Sequence, residues 1–85
     1  MKTNVLQYNV IIRKEGYKFV SYVPTLGISD FGKTIDQAKK HTYLAIKTHI
    51  EGLLKTHSGI PAPDSEDFYI SQAQVKFNKS IKFAY

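Results

Sequence analysis

Apolar and polar positions alternate along residues 5–14 (VLQYNVIIRK). Leu6, Tyr8, Val10 and Ile12 fall on one face, and Gln7, Asn9, Ile11 and Arg13 on the other. The pattern predicts a strand ending at the turn signal Glu15-Gly16. Residues 17–23 (YKFVSYV) repeat the period, with Tyr17, Phe19, Ser21 and Val23 alternating with Lys18, Val20 and Tyr22. So short a link between the two segments predicts an antiparallel hairpin. Pro24 has no N–H for a ladder and ends the second strand. Residues 28–33 (ISDFGK) read as a short third strand hinged by Gly27 and Gly32.

From Thr34 the period changes from two to that of a helix. Thr34 is placed to cap a backbone N–H while Gln37 reaches back, and Asp36 suits the positive end of the helix dipole. Ile35, Ala38, Thr42, Ala45, Ile46, His49, Ile50 and Leu53 form one stripe, as expected of an amphipathic helix laid on a sheet. Lys40, Leu44, Lys47, Glu51 and Lys55 take the opposite side, with Asp36–Lys40 and Glu51–Lys55 spaced for weak i,i+4 support. The helix should end near Thr56 or His57, before Ser58-Gly59, Pro61 and Pro63. Gly52 inside it implies close packing or a fraying last turn. After the proline-stiffened connector, residues 68–77 (FYISQAQVKF) alternate again and predict a returning strand. Ile81, Phe83 and Tyr85 then mark a tail strand or docking arm. The expected architecture is α+β: a three-stranded antiparallel sheet, one long helix and a returning strand, with residues 1–77 as a single domain and 78–85 as a tail strand or oligomerisation arm.

Composition narrows the chemistry. An 85-residue chain holds one domain with a thin core. The absence of cysteine excludes disulfides, thiol nucleophiles, zinc fingers and iron–sulfur sites. No apolar run is long enough to span a bilayer, and the polar start MKTNVLQYN lacks the core of a signal peptide, so a cytoplasmic location without membrane association is expected. The net charge of +5 is diffuse. It is +3 over residues 1–20, +2 over 21–60 and zero over 61–85, with Arg13 the only arginine. That distribution favours solubility and weak attraction to polyanions over a dedicated basic patch.

The order of elements carries a series of residues: Tyr17–Val20, Pro24-x-Leu26-Gly27, Gly32-x-Thr34-Ile35-x-x-Ala38, Ala45-Ile46, Leu53-Leu54, and Gly59-Ile60-Pro61-x-Pro63. Together they resemble the HicB-like antitoxin family over residues 8–65. Ile28 stands where that family often has a small or thiol residue, and Gln37 where it often has an acid. The resemblance implies a truncated RNase H-like βββαβ fold that binds and inhibits a small HicA-type RNase toxin, and assembly as a homodimer or higher oligomer. Pro24, Gly27, Gly32, Thr34, Pro61 and Pro63 are its signature positions. Family members often carry a fused DNA-binding segment. About 20 residues follow Pro63 here, too few for a helix-turn-helix, so DNA binding by this chain is not expected.

Catalytic chemistry lacks its parts. Metal-dependent hydrolysis on an RNase H scaffold needs clustered carboxylates, and residues 5–14 contain none. His41, His49 and His57 lie eight apart, so on a helix each step turns about 80° and rises about 12 Å, and no two share a metal ion. No enzyme activity, metal or cofactor is expected. The expected mechanism is occlusion of a toxin. Asp64, Glu66, Asp67, Phe68 and Tyr69 face the basic RNase, and Ile81, Phe83 and Tyr85 form the oligomer contact. The alternative is a small basic nucleic-acid-binding regulator acting as a dimer.

Overall fold

A computed structural model describes residues 3–65 and 71–84. Three strands, β1 (Ile11–Glu15), β2 (Lys18–Val23) and β3 (Ile28–Gly32), precede one helix, α1 (Ile35–Lys55). The sheet is antiparallel with order β1-β2-β3. Glu15 pairs with Lys18, which leaves a two-residue loop whose first member, Gly16, has φ of +62°. A glycine there is what a type II′ hairpin turn demands. At the next corner the amide of Gly27 donates to the carbonyl of Val23 at 2.8 Å, closing the chain just past Pro24.

Gly32 sets how closely the helix lies on the sheet. A Cβ at this position would come within 2.5 Å of the Ala38 nitrogen and 2.8 Å of the Gln37 carbonyl carbon. These are backbone atoms of the first helical turn, so no rotamer change relieves the clash. Ala38 is fully buried against this contact. The helix start is capped as its sequence specifies. The Thr34 hydroxyl accepts from the Gln37 amide at 3.0 Å, and the Gln37 side chain accepts from the amide of Lys33 at 2.6 Å, one residue upstream of a standard capping box.

The helix ends at Lys55 with Thr56 as its C-cap, where expected, in a Schellman arrangement. Ser58 N–H donates to Leu53 C=O at 2.9 Å and His57 N–H to Leu54 C=O at 3.2 Å, with His57 at φ of +55°. His57 holds the left-handed position usually given to glycine, so Gly59 does not serve as the cap. Gly52, in the last turn of the helix, has open space where its Cβ would be, so close packing does not explain it. Asp36–Lys40 and Glu51–Lys55 do not close into ion pairs; among the described residues only Arg13 and Glu15 do, at 2.9 Å.

The stripe meets the sheet largely as its period requires. Ala38 and Thr42 are buried, and Ala45, Ile46, His49, Ile50 and Leu53 are half-buried; Ile35 is exposed. Between the layers the Ser21 and Thr42 hydroxyls contact each other, both buried. Thr42 also bonds the Ala38 carbonyl at 2.6 Å, and Ser21 the Asp30 carbonyl at 3.1 Å. Two hydroxyl hydrogens cannot serve three contacts. Among the described residues only Tyr8, Val23 and Ala38 are buried apolar ones, so this polar bridge is a large share of the interior they form.

Two expected strands differ from the structure. Residues 3–10 lack regular pairing, and the first strand begins at Ile11. Residues 71–84 carry no strand and are exposed throughout; residues 68–70 lie outside the described residues. The radius of gyration of 16.9 Å exceeds the roughly 12 Å expected for a compact chain of this length, and the long axis reaches 60 Å.

The two helix-facing glycine expectations separate cleanly in stability. Gly32→Ala should cost about 1–3 kcal/mol through overpacking against backbone. Gly52→Ala, with open space at Cβ, should stabilise the helix by about 1 kcal/mol. Paired urea denaturation curves test both, and equal effects of one sign would contradict the packing described.

Candidate functional site

Asp64, expected to face a partner, is held within the chain. Its amide donates to the Gln7 carbonyl at 2.8 Å. One carboxylate oxygen accepts from the Asn9 amide at 2.7 Å and the other from the Thr25 hydroxyl at 2.6 Å. In a parallel ladder the Asn9 amide would pair with the main-chain carbonyl of residue 64. The carboxylate takes it instead, and regular pairing stops at a single rung. Three residues upstream, the Tyr8 hydroxyl donates to the Pro61 carbonyl at 2.6 Å. The connector, the lead-in to β1 and the loop after β2 are therefore joined through one side chain and one hydroxyl. These two donors to Asp64, Thr25 first and then the Asn9 amide, hold its carboxyl below the ordinary value of 3.8.

The other expected partner residues divide. Glu66, Asp67, Phe68 and Tyr69 lie outside the described residues, as does Tyr85. Ile81 and Phe83 are exposed by 56% and 74% and belong to no strand. Of the signature positions, Gly32 and Thr34 set the helix, Pro24 and Gly27 shape the loop after β2, Pro61 accepts from Tyr8, and Pro63 precedes the Asp64 clamp.

At Phe31 the free edge of the sheet along β3 is capped by side chains. Phe31 stands opposite Val20 in the ladder. Its amide nevertheless donates to the Asp30 carboxylate at 2.8 Å, and its carbonyl bonds His41 Nδ1 at 2.6 Å. Both main-chain groups of Phe31 thus point out of the sheet and are already satisfied, which blunts the edge against another strand. Residues 41 and 31 are ten apart in sequence, and no periodicity in either element signals the contact.

The helix leans on β3 and β2, and on the opposite side a groove of about 940 Å³ opens between α1 and the lead-in to β1. Leu6, Val10, Ile12, Ile46 and Ile50 line it. Asn9 Nδ2, beside this groove, finds no acceptor among the described residues. A shallower depression lies between β3 and the helix, with Ile28, Leu44, Ala45 and His49 on its wall. His41 and His49 share that depression, but among the described residues no three His, Asp or Glu side chains gather as a metal site.

Among the described residues nothing packs over the sheet face away from the helix. Because Ser21 points to Thr42, alternation turns Val20 and Tyr22 the other way, together with Ile11 and Arg13 of β1 and Phe31 of β3. Tyr22 is 47% exposed and Phe31 57%. The Lys18 ammonium lies 5.2 Å from the Phe31 ring centroid.

No family model, no curated protein and no solved structure matches the chain. No helix is long and apolar enough to cross a membrane among the described residues.

The Asp64 clamp makes stability depend on pH in a defined direction. A carboxyl lowered in the folded state stabilises it above the ordinary value near 3.8 and loses that contribution as pH falls through the lower, folded value. The stability difference between the natural chain and Asp64→Asn should therefore be full near neutrality and shrink below about pH 4. Denaturation of both proteins across pH measures it; a difference constant from neutral to strongly acid solution would place Asp64 outside any such clamp.

Proposed function

We propose that this chain is a HicB-like antitoxin, a non-catalytic module that binds a small HicA-type RNase and covers its active site. The observation that carries the reading is the anchored exit after the helix. Pro61 and Asp64 are tied to Tyr8, Gln7, Asn9 and Thr25, so the segment directly before Glu66 and Asp67 is fixed to the body. A toxin that holds RNA presents cationic groups, and carboxylates offered from an anchored segment substitute for phosphate and speed the encounter. Inhibition needs only contact. An interface of about 1,600 Å² excludes RNA from a protein of that size without any chemistry by the antitoxin. The arrangement of three strands followed by a Thr34-capped helix, with Gly32 packed beneath it, supports the same reading. In this proposal the exposed Ile81 and Phe83, with Tyr85, contribute the contact between copies of the chain.

Asp64 has a structural task, so the acidic contact is tested at its neighbours. Full-length chain is purified with the small basic protein encoded beside it, and RNase inhibition and affinity are measured over a salt range. Inhibition should be stoichiometric. Glu66→Gln combined with Asp67→Asn should weaken binding about tenfold and flatten its salt dependence. Lack of inhibition by the natural chain would refute the function, while unchanged affinity of the double variant would refute only the placement of the contact.

A further inference from the structure

We infer that the bare outer face of the sheet binds single-stranded nucleic acid, with bases stacked on Tyr22 and Phe31 and phosphates held by Lys18 and Arg13. This goes beyond toxin occlusion and uses a different surface. Tyr22 lies on the central strand opposite Ser29, and Phe31 on β3 opposite Val20. The two rings are thus diagonal neighbours on one pleated face, about 7 Å apart at the backbone, and stand as separate platforms for two splayed bases.

Charge on the face favours a polyanion. Arg13 and Lys18 flank the aromatic pair, and of the described acids only Glu15 shares the face, bonded to Arg13 at 2.9 Å. Asp30 is turned to the edge, Asp64 is in its clamp, and Asp36 and Glu51 are on the helix. Lys18 already lies over the Phe31 ring. A base that stacks on that ring takes its other face or displaces the ammonium, which stays within reach of the phosphate. A basic RNase is repelled by the same groups, so this surface and the acidic arm do not compete for one partner.

Size decides against a second copy of the chain. Three strands at about 4.8 Å spacing and five residues at about 3.3 Å rise give a face of about 250 Å² in plan. A stable dimer needs about 800 Å² from each partner. Strand addition beside the face is also closed where Asp30 and His41 bond the main chain of Phe31. Stacking needs far less area, since each base on an aromatic ring is worth roughly a 5- to 150-fold change in affinity.

The test uses the full chain and end-labelled 12-residue oligonucleotides, oligo(U) and oligo(dT), with a 12-base-pair duplex as control, read by fluorescence anisotropy. Both single strands should bind more tightly than the duplex, and a preference for oligo(U) would assign a role to the 2′-hydroxyl. Tyr22→Leu, which preserves apolar bulk on the face but not the ring, should weaken binding at least fivefold. Tyr22→Phe should retain it, and Phe31→Leu should behave like Tyr22→Leu. Lys18→Gln should weaken binding and reduce the salt slope by about one. Circular dichroism and a thermal midpoint for each variant establish that it is folded. Equal affinity for duplex, or unchanged binding by folded Tyr22→Leu and Phe31→Leu, would overturn the inference. So would a self-associated protein that Tyr22→Leu disperses without any oligonucleotide binding, which would give the face to a second copy.

Discussion

The approach of the helix backbone to Gly32 is the contact from which the rest of the architecture follows. With no side chain at this point, the first turn of α1 rests directly on β3, and Ala38 is sealed beneath it. Such a short separation leaves room at the next contact only for small side chains. Ser21 and Thr42 meet there, and their hydroxyls satisfy one another instead of needing water. A helix drawn down onto β3 and β2 must stand away from β1, which is why the larger groove opens on that side. Close contact at one glycine therefore produces both the thin interior and its uncovered flank.

A core of this size leaves the remaining segments to be held by directional bonds. Residues 7–9, the loop at Thr25 and the connector at 61–64 are joined by the Tyr8 hydroxyl and the Asp64 carboxylate, with little apolar burial beyond Tyr8 itself. Such bonds fix position more than they supply stability, since each replaces a bond to water. The same logic governs the edge of β3, where Asp30 and His41 satisfy the groups that another strand would seek.

Local structure was legible in the sequence because it follows from local rules. Period two placed β2 and β3, Gly16 and Pro24 bounded the second strand, and Thr34 with Gln37 announced the helix start. The stripe from Ala38 to Leu53 faced the sheet, and the pairing of Ser21 with Val23 on one strand face already implied a hydroxyl directed inward. What was not legible depends on contacts distant in sequence. Asp64 read as one of a row of acids facing a partner, yet its bonding neighbours at positions 7, 9 and 25 are 39 or more residues away. His41, read only as too far along the helix from His49 and His57 to share a metal ion, bonds the Phe31 carbonyl at a strand edge. Alternation at 71–77 suggested a strand, but alternation states only which side chains share a face; pairing requires an open edge, and one is not offered by periodicity. The left-handed residue after the cap is His57, which no local pattern marks for that conformation.

The capped point at Phe31 and the open face beside it together shape what this side of the sheet can hold. Strand addition draws its energy from main-chain N–H and C=O groups, and at Phe31 both are already bonded to side chains. The pleated face has no such groups to offer, only side chains: the rings of Tyr22 and Phe31, the aliphatic surface of Ile11, and two cations at its border. A strand from another protein therefore gains little there, whereas a flat, charged, unpaired ligand gains both stacking and charge neutralisation. The capped edge thus acts as a filter on what the face can hold. It disfavours polypeptide and leaves the aromatic surface available, and this selectivity comes from placing Asp30 and His41 beside Phe31, the residue that also supplies one of the rings.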